Sequence, residues 1–318
     1  MGSGNVKFDD SYLLLGPSRA STFADSLDEA AGRWSHTALA FPEERATYPE
    51  LASRANDLAC GLIALGVEAG EKVGVLISQG VDYFALIFAI AKIGAISVPL
   101  NPRFKAKELR HVISNSDMTA LVASDSLLEM PDVVSMLEET LPSLASAGGI
   151  ELHLAEAPLL RRIVLSGETS RDWVFNFAAL VDLAESVSDE LVLYRRASVA
   201  IRDTAIIMYT SGTTANPKGV MLPHEALVRH GLTIAQTRFD LTKADRVWSA
   251  LPLHHIGGMA FFFTCLAAGA TYCHTANFDP GRALVQLQSE SCTIAIPAFE
   301  TIWLAVLNHP DFPQADLG

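Results

Sequence analysis

Residues 73–100 read VGVLISQGVDYFALIFAIAKIGAISVPL, and this stretch decides the fold class. Two short runs rich in β-branched residues, 73–78 and 96–100, flank an apolar segment, 81–92, that is long enough to form a helix. Gly94 follows the apolar segment as a helix terminator. A strand, a crossover helix and a second strand are typical of a parallel sheet, so the sequence predicts an α/β protein.

The alternation of strands and helices continues on both sides of this stretch. Thr47 and Glu50 have the spacing of a capping box, and an apolar helical stripe follows them as far as Gly66. Further strands are predicted at 121–123, 163–165, 205–209, 247–251, 270–274 and 293–296. Further helices are predicted at 105–115, 131–141, 177–185, 224–236, 258–268, 280–290 and 299–308.

Chain length and composition limit the architecture and the partners. At 318 residues the chain exceeds the size at which one hydrophobic core usually stops growing, so we expect two packed subdomains. The hydrophobic residues make up 50% of the chain and the charged residues 19%, as in well-packed globular proteins. The 23 basic and 36 acidic residues give a net charge of −13, which disfavours nucleic acid as a partner.

Cysteine usage and the N-terminus bear on the compartment. The four cysteines form no CxxC pair and are too sparse for a disulfide framework, so the sequence favours a cytoplasmic protein. Residues 1–20 are interpreted as a tail that lacks the apolar core of a secretory signal, and residues 2–4 are compatible with an expression scar. The longest apolar stretch, 259–268, is about half the length that a helix needs to cross a bilayer, so we expect no transmembrane segment.

A second informative stretch, residues 209–220, reads YTSGTTANPKGV and follows a predicted strand. Hydroxyl side chains, glycines and a lysine in a loop at the carboxyl end of a parallel strand predict phosphate binding. The candidate phosphate contacts are Thr210, Ser211, Gly212, Thr213, Thr214, Lys218 and Gly219. A Walker A loop is excluded because Pro217 precedes Lys218 and Gly219 follows it. On composition alone, a hydroxyl-rich surface turn stays open as an alternative.

The loop at 209–219 resembles the signature loop of the adenylate-forming (AMP-binding) superfamily. That superfamily includes acyl-CoA synthetases, peptide-synthetase adenylation domains and beetle luciferases. The one departure from the family pattern is Ala215, which stands where glycine is usual. If the family uses a positive φ at this position, Ala215 has to adopt a different backbone setting at a modest energetic cost.

A further resemblance lies at 251–258, which reads LPLHHIGG and is similar to the Pro-Leu-Phe-His motif of acyl-CoA synthetases. His255 falls on the family histidine, and His254 replaces the family phenylalanine. For His255 we favour lining the carboxylate pocket over general-base catalysis. Residues 294–300, which run into 304–310, resemble the family turn from a strand into a helix and contribute Pro297. The residues of this predicted substrate pocket are His254, His255, Gly257 and Pro297.

The same region favours one class of acid. Within the superfamily, domains that activate amino acids tend to carry an aspartate here, which receives the substrate ammonium group. Residues 251–270 contain no Asp or Glu, so an acyl or aryl carboxylic acid fits this sequence better than an amino acid.

The resemblance implies a fold like the N-terminal domain of acyl-CoA synthetases, with two packed αβα subdomains and mainly parallel sheets. It places 61–235, with the loop 209–219, in the first subdomain, and 21–60 together with 236–318 in the second. It also implies that ATP activates the carboxylic acid to an acyl-adenylate, which coenzyme A then converts to a thioester with AMP and pyrophosphate as by-products. ATP, coenzyme A and Mg²⁺ are therefore expected. The sequence assigns no metal ligand and no certain catalytic residue.

Other family segments are missing from this sequence. The family uses an aromatic-Gly-x-Thr-Glu segment, a ribose-binding Asp and a Lys on a mobile C-terminal domain, and none of them appears here. We therefore expect a fragment that is inactive alone. Three alternatives stay open: a non-catalytic nucleotide-binding or interaction module, a luciferase-like or peptide-synthetase relative, and an NTPase that releases ADP. The identity of the acid and the oligomeric state do not follow from the sequence.

Overall fold

The computed structural model describes residues 21–210 and 216–317, which form two sheets with helices packed on their faces. The strands are β1 Thr37–Ala40, β2 Arg45–Thr47, β3 Lys72–Leu76, β4 Ile96–Pro99, β5 Met118–Ser124, β6 Arg162–Ser166, β7 Val174–Asn176, β8 Thr204–Thr210, β9 Lys218–Pro223, β10 Arg246–Ser249, β11 Thr271–His274 and β12 Ile294–Ile296. The helices are α1 Phe23–Arg33, α2 Tyr48–Ala64, α3 Val81–Lys92, α4 Ala106–Asn115, α5 Val133–Thr140, α6 Phe177–Asp182, α7 Asp189–Ala197, α8 His224–Ile234, α9 Ile256–Ala268, α10 Pro280–Ser289 and α11 Glu300–Leu307.

The two sheets divide the strands by position in the chain. The seven-stranded sheet has the order β7-β6-β5-β3-β4-β8-β9, and only its β8–β9 pair is antiparallel. The five-stranded sheet has the order β12-β10-β11-β1-β2, and only its β1–β2 pair is antiparallel. The predicted α/β class with mainly parallel sheets is confirmed. The subdomain limits near residues 60 and 236 stay predictions.

The βαβ unit at 73–100 lies at the centre of the seven-stranded sheet. β3 pairs in parallel with β4 on one side and with β5 on the other. The connecting helix α3 is apolar on all sides and buried over most of its length, as expected for a helix that packs inside a core. Gly94 adopts a φ of 74° just after the helix, in the left-handed region that favours glycine.

Helix α2 begins at the predicted capping box. The Thr47 side chain accepts a hydrogen bond from the Glu50 backbone, and the Glu50 carboxylate accepts one from the Thr47 backbone N–H at 2.8 Å. Gly66 follows the helix with a φ of 89°. The hydroxyl of Tyr48, the first residue of α2, donates to the carbonyl of Ala270 at 2.7 Å, which attaches the helix to the start of β11.

One buried core joins the two sheets. The ring of Phe84 on α3 packs against the ring of Phe262 on α9, with centroids 4.4 Å apart. The ring of Phe23 on α1 stacks on Phe88 of α3 with centroids 4.3 Å apart. The same cluster contains core residues of β3 and of β11. Because helices α1, α3 and α9 fill the space between the sheets, the loops at the carboxyl edges of both sheets are held in a defined relation.

The apolar stretch at 259–268 forms most of α9. This helix has 13 residues and ends at Gly269, which has a φ of 75°. Its side chains are largely buried in the core between the sheets. Across residues 21–210 and 216–317, no helix combines the length and the apolar character that a membrane span requires.

Candidate functional site

The structure brings the two ends of the predicted phosphate loop together. Thr210 is the last residue of β8, Lys218 is the first residue of β9, and the two are paired across these antiparallel strands. The Thr210 hydroxyl donates to the Lys218 carbonyl at 3.5 Å, and both side chains are exposed. The sequence predicted a loop through residue 219, whereas residues 218 and 219 already belong to a strand. Of the other predicted contacts, Ser211, Gly212, Thr213 and Thr214, like Ala215, lie outside the described residues.

Gly219 is required by close packing. It pairs with Tyr209 in the hairpin, and a Cβ on Gly219 would lie 2.9 Å from the Ile207 side chain and 3.1 Å from the Tyr209 ring. Both distances are too short for a methyl group in a packed sheet. The glycine therefore lets β9 lie close to the side chains of β8.

Helix α4 supports both ends of the same hairpin. The Tyr209 hydroxyl donates to Asn115 Oδ1 at 2.8 Å, and His111 Nε2 donates to the Pro217 carbonyl at 3.0 Å. Burial raises the pKa of Tyr209, which keeps the phenol protonated and able to donate. These contacts were not predicted from the sequence. Their only sequence signal is that polar residues alternate with the apolar stripe of a predicted helix.

The predicted pocket histidines lie on the loop between β10 and α9. His255 is the residue before the helix, and its carbonyl accepts hydrogen bonds from the Gly258 and Met259 backbone N–H groups at 3.1 and 3.4 Å. Gly258 approaches this loop so closely that a Cβ would lie 2.4 Å from the Pro252 carbonyl oxygen. The close approach lets the chain turn sharply from strand to helix and places His255 at the carboxyl edge of the five-stranded sheet.

The two adjacent histidines have different surroundings. The ring centroids are 4.5 Å apart, but His254 is only 8% exposed whereas His255 is exposed to solvent. Burial, assisted by the neighbouring ring and by the Arg103 charge, lowers the pKa of His254 to about 3. Burial and then Arg103 also lower the pKa of His255. Near neutral pH both rings are uncharged, so they offer hydrogen bonds rather than positive charge.

Arg103 supplies a positive charge at this position. It follows β4, the strand that lies between β3 and β8, and its side chain is 74% exposed. One guanidinium nitrogen lies 4.0 Å from a carboxylate oxygen of Glu129. Pro102, Glu129 and His254 line the same small cavity of about 70 Å³. The loop after β4 therefore faces the histidine loop of the other sheet, and sequence reasoning missed it because Arg103 belongs to no motif.

Gly257 and Pro297, the other two predicted pocket residues, lie at the same edge. Gly257 is in the first turn of α9, and a Cβ there would lie 3.5 Å from the nearest atom of Leu251, which is an ordinary contact. Pro297 directly follows β12, whose last residue pairs with the last residue of β10. The chain then turns sharply, since Ala298 has a φ of 57°.

His274, at the end of β11, binds the loop between β10 and α9, which carries His254 and His255 and is called the histidine loop. Its Nε2 donates to the Leu251 carbonyl at 2.8 Å, and its Nδ1 accepts from the Ala276 backbone N–H at 2.9 Å. Burial lowers the pKa of His274 to about 4, so the ring is neutral and can make both bonds. The sequence signal for such residues is a polar side chain at the end of a predicted strand.

The described residues also form a groove that does not coincide with the candidate site. A groove of about 400 Å³ lies between α1, α8 and α9 and is lined mainly by apolar side chains, among them Phe23, Leu227 and Phe263. In the described part of the chain no group of three or more His, Cys, Asp or Glu side chains is placed to hold a metal ion. The candidate site is therefore defined by the loops after β8, β4, β10 and β12.

Comparison with known proteins identifies the family of this chain. A model of the family described as "AMP-binding enzyme" matches residues 27–318. The chain belongs to the AMP-binding enzyme family. YngI of Bacillus subtilis (strain 168), provisionally named an acyl-CoA synthetase, is 31% identical over 304 residues, which cover 94% of this chain and 54% of that protein. A feruloyl-CoA synthase of an Amycolatopsis species is 31% identical over 86% of this chain and 47% of its own length.

Two solved structures share the fold. The N-terminal domain of FACL13 from Mycobacterium tuberculosis, crystallised with an inhibitor, superposes with a TM-score of 0.75 at 23% identity and covers 94% of this chain and 68% of that one. The anthranilate CoA ligase AuaEII in complex with anthranoyl-AMP gives a TM-score of 0.79 at 23% identity, over 93% of this chain and 53% of that one. The chain spans about half the length of the curated relatives it matches.

Proposed function

We propose that this chain acts in the ATP-dependent activation of a carboxylic acid to an acyl-adenylate and then to a coenzyme A thioester. The observation that carries the proposal is the pairing of Thr210 with Lys218, which brings the ends of the signature loop together at the carboxyl end of β8. Family membership supports the nucleotide chemistry. The names of the relatives support thioester formation.

The reaction needs no nucleophile from the protein. A carboxylate oxygen of the acid forms a bond to the α-phosphorus of ATP, the bond from that phosphorus to the bridging oxygen breaks, and pyrophosphate leaves. The coenzyme A sulfur then attacks the acyl carbon and AMP leaves. The role of this chain is to position the reactants and to stabilise negative charge, for which the exposed Lys218 ammonium and Thr210 hydroxyl are suited.

The acid is proposed to bind at the edge of the five-stranded sheet. His254, His255, Gly257 and Pro297 lie there, after β10 and β12. Neutral imidazoles can donate a hydrogen bond to a carboxylate, and the Arg103 charge lies close to both rings. The absence of Asp and Glu from 251–270 removes the partner that a substrate ammonium group needs. We therefore propose an acyl or aryl acid as the substrate class.

ATP and coenzyme A are co-substrates in this proposal. Mg²⁺, when bound, would neutralise phosphate charge, and we assign it no ligand among residues 21–210 and 216–317. The cysteine usage is the reason to propose a cytoplasmic location.

The test is exchange of labelled pyrophosphate into ATP with a panel of fatty, aryl and amino acids, run on residues 1–318 and on the full gene product. Exchange that depends on an acyl or aryl acid, with AMP as product, supports the proposal. Exchange that depends on an amino acid favours a peptide-synthetase relative. Release of ADP without dependence on an acid overturns adenylation. ATP binding without any turnover by the full gene product favours a non-catalytic module.

A further inference from the structure

Gln79 connects the two sheets at the candidate site. It follows β3 in the seven-stranded sheet, and both ends of its side-chain amide are engaged by loops of the five-stranded sheet. Its Oε1 accepts from the Leu253 backbone N–H at 2.8 Å, and its Nε2 donates to the Ala276 carbonyl at 2.8 Å. One side chain therefore ties the loop after β10 to the loop after β11 and both of them to β3.

Tyr83 binds Leu253 as well, at its carbonyl group. Tyr83 lies in the first turn of α3, shortly after Gln79, and its hydroxyl donates to the Leu253 carbonyl at 3.1 Å. Tyr83 is 2% exposed, and burial raises the pKa of its phenol, which keeps the hydroxyl protonated. Both backbone polar groups of Leu253 are thus bound by side chains from the seven-stranded half, directly before His254.

The third loop contact involves a strained residue. Ala276 has a φ of 59°, which a non-glycine residue rarely adopts. Its N–H donates to His274 and its carbonyl accepts from Gln79, so bonds on both sides stabilise this backbone conformation. His274 in turn binds the Leu251 carbonyl. The loop from 251 to 255 is held at Leu251 and at both polar groups of Leu253.

We propose that Gln79 is a positioning residue for the histidine loop: its amide, with the Tyr83 hydroxyl, fixes that loop so that His255 stands ready to receive the acid. The statement about the acid rests on the proposed function. A prealigned loop loses little freedom when the acid binds, so the contribution of Gln79 appears in acid binding rather than in ATP binding. Lys218 begins β9, which is separated from β3 by β4 and β8 in the sheet order.

The experiment compares Gln79→Met, Gln79→Glu and Tyr83→Phe with Gln288→Met, in which an exposed glutamine on α10 undergoes the same change. Amide hydrogen exchange at residue 253 and NMR titration of the His255 ring are measured for each variant. The KM values for the acid and for ATP, and kcat, are measured on the protein that shows exchange activity. Thermal stability is followed from neutral to mildly acidic pH.

Gln79→Met removes both hydrogen bonds of the amide, including the one that Oε1 accepts from the Leu253 N–H. We therefore expect exchange at residue 253 to accelerate about fivefold to tenfold. Loosening of the loop reduces the remaining burial of the His255 ring, so its pKa rises. The KM for the acid rises by a similar factor while the KM for ATP changes less than twofold. Gln288→Met changes none of these. In Gln79→Glu the ionised carboxylate has no hydrogen for the Ala276 carbonyl, so its stability deficit against wild type shrinks as acid protonates it.

The outcomes separate this inference from the proposed function. If Gln79→Met leaves both the exchange at residue 253 and the His255 titration at wild-type values, Gln79 does not fix the histidine loop and the inference is wrong. If the loop loosens but the KM for the acid does not change, Gln79 has only a structural role and the positioning inference is overturned. If no acid supports exchange of pyrophosphate even in wild type, the proposed function fails. The amide hydrogen exchange and the His255 titration still show whether Gln79 fixes the histidine loop.

Discussion

Two neighbouring glycines at the start of α9 should respond in opposite ways to the same substitution. In Gly258→Ala, the new methyl group would lie 2.4 Å from the Pro252 carbonyl oxygen and 2.6 Å from the Leu251 carbonyl oxygen. Ordinary contacts between carbon and oxygen are about 3.3 Å or longer, so the loop must move by nearly 1 Å. Both obstacles are backbone atoms, and His274 holds one of them. Overpacking of this kind costs about 3 kcal/mol in the free energy of unfolding.

In Gly257→Ala the methyl group meets only Leu251 Cδ1, at 3.5 Å. Because alanine is a better helix former than glycine, this variant should be as stable as wild type or more stable by about 0.5–1 kcal/mol. The helix propensities cancel between the two variants. The difference in their unfolding free energies, about 3 kcal/mol, therefore measures the close approach at Gly258.

Urea unfolding near neutral pH, followed by circular dichroism, gives both free energies from midpoints and slopes. Equal midpoints for the two variants would refute the geometry of the loop between β10 and α9. A Gly258→Ala variant that is destabilised but binds an acid like wild type would contradict the placement of the acid at this loop. We expect Gly258→Ala to weaken acid binding more than ATP binding, because ATP is proposed to bind at the hairpin of β8 and β9.

Three further predictions concern charge. Lys218→Met should raise the Kd for ATP about tenfold or more, whereas Lys107→Met, at an exposed lysine on α4, should not, as isothermal titration can show. Arg103→Gln should raise the pKa of His255 in an NMR titration, because a nearby positive charge is removed; an unchanged or lower value would contradict the proximity of the two groups. Burial lowers the pKa of His274 from 6.5 to about 4, so the folded state binds fewer protons than the unfolded state between these pH values. Unfolding measurements should therefore show about 3 kcal/mol of stability that is present above pH 6.5 and is lost as pH falls towards 4. A flat profile of stability against pH would contradict the buried neutral ring.

The sequence predicted the fold well where local signals and burial agree. The helix at 81–92 and the capping box at Thr47 are present as predicted, because a fully buried helix and a capped helix start both leave a strong local pattern. Helix α1 was missed although Thr22 and Asp25 form a second capping box, with a buried Phe23 directly after it. That signal was available in the sequence, since Asp stands at the position where the capping-box pattern has Glu.

Strand β9 could not be read from the sequence. It lies at the edge of its sheet, where Val220 and Met221 are exposed, so its residues show no alternation between a buried and a polar face. What makes it a strand is the antiparallel pairing with β8, a partner that lies earlier in the chain. The same limit applies to Gln79 and Arg103. Their partners lie on loops of the other sheet, and sequence distance carries no information about that contact.

The net charge of −13 disfavours nucleic acid as a partner but does not disfavour ATP. A nucleic acid presents many phosphates along a surface, so the whole distribution of charge matters. ATP presents one cluster of phosphates, and charges more than about 8–10 Å away are largely screened at physiological ionic strength. At the candidate site the local cations are the exposed Lys218 and Arg103, and the Glu129 carboxylate lies 4.0 Å from Arg103. The buried rings of His254 and His274 are neutral. An acidic chain can therefore hold an anionic nucleotide, provided that a few cations stand at the edge where the strands end.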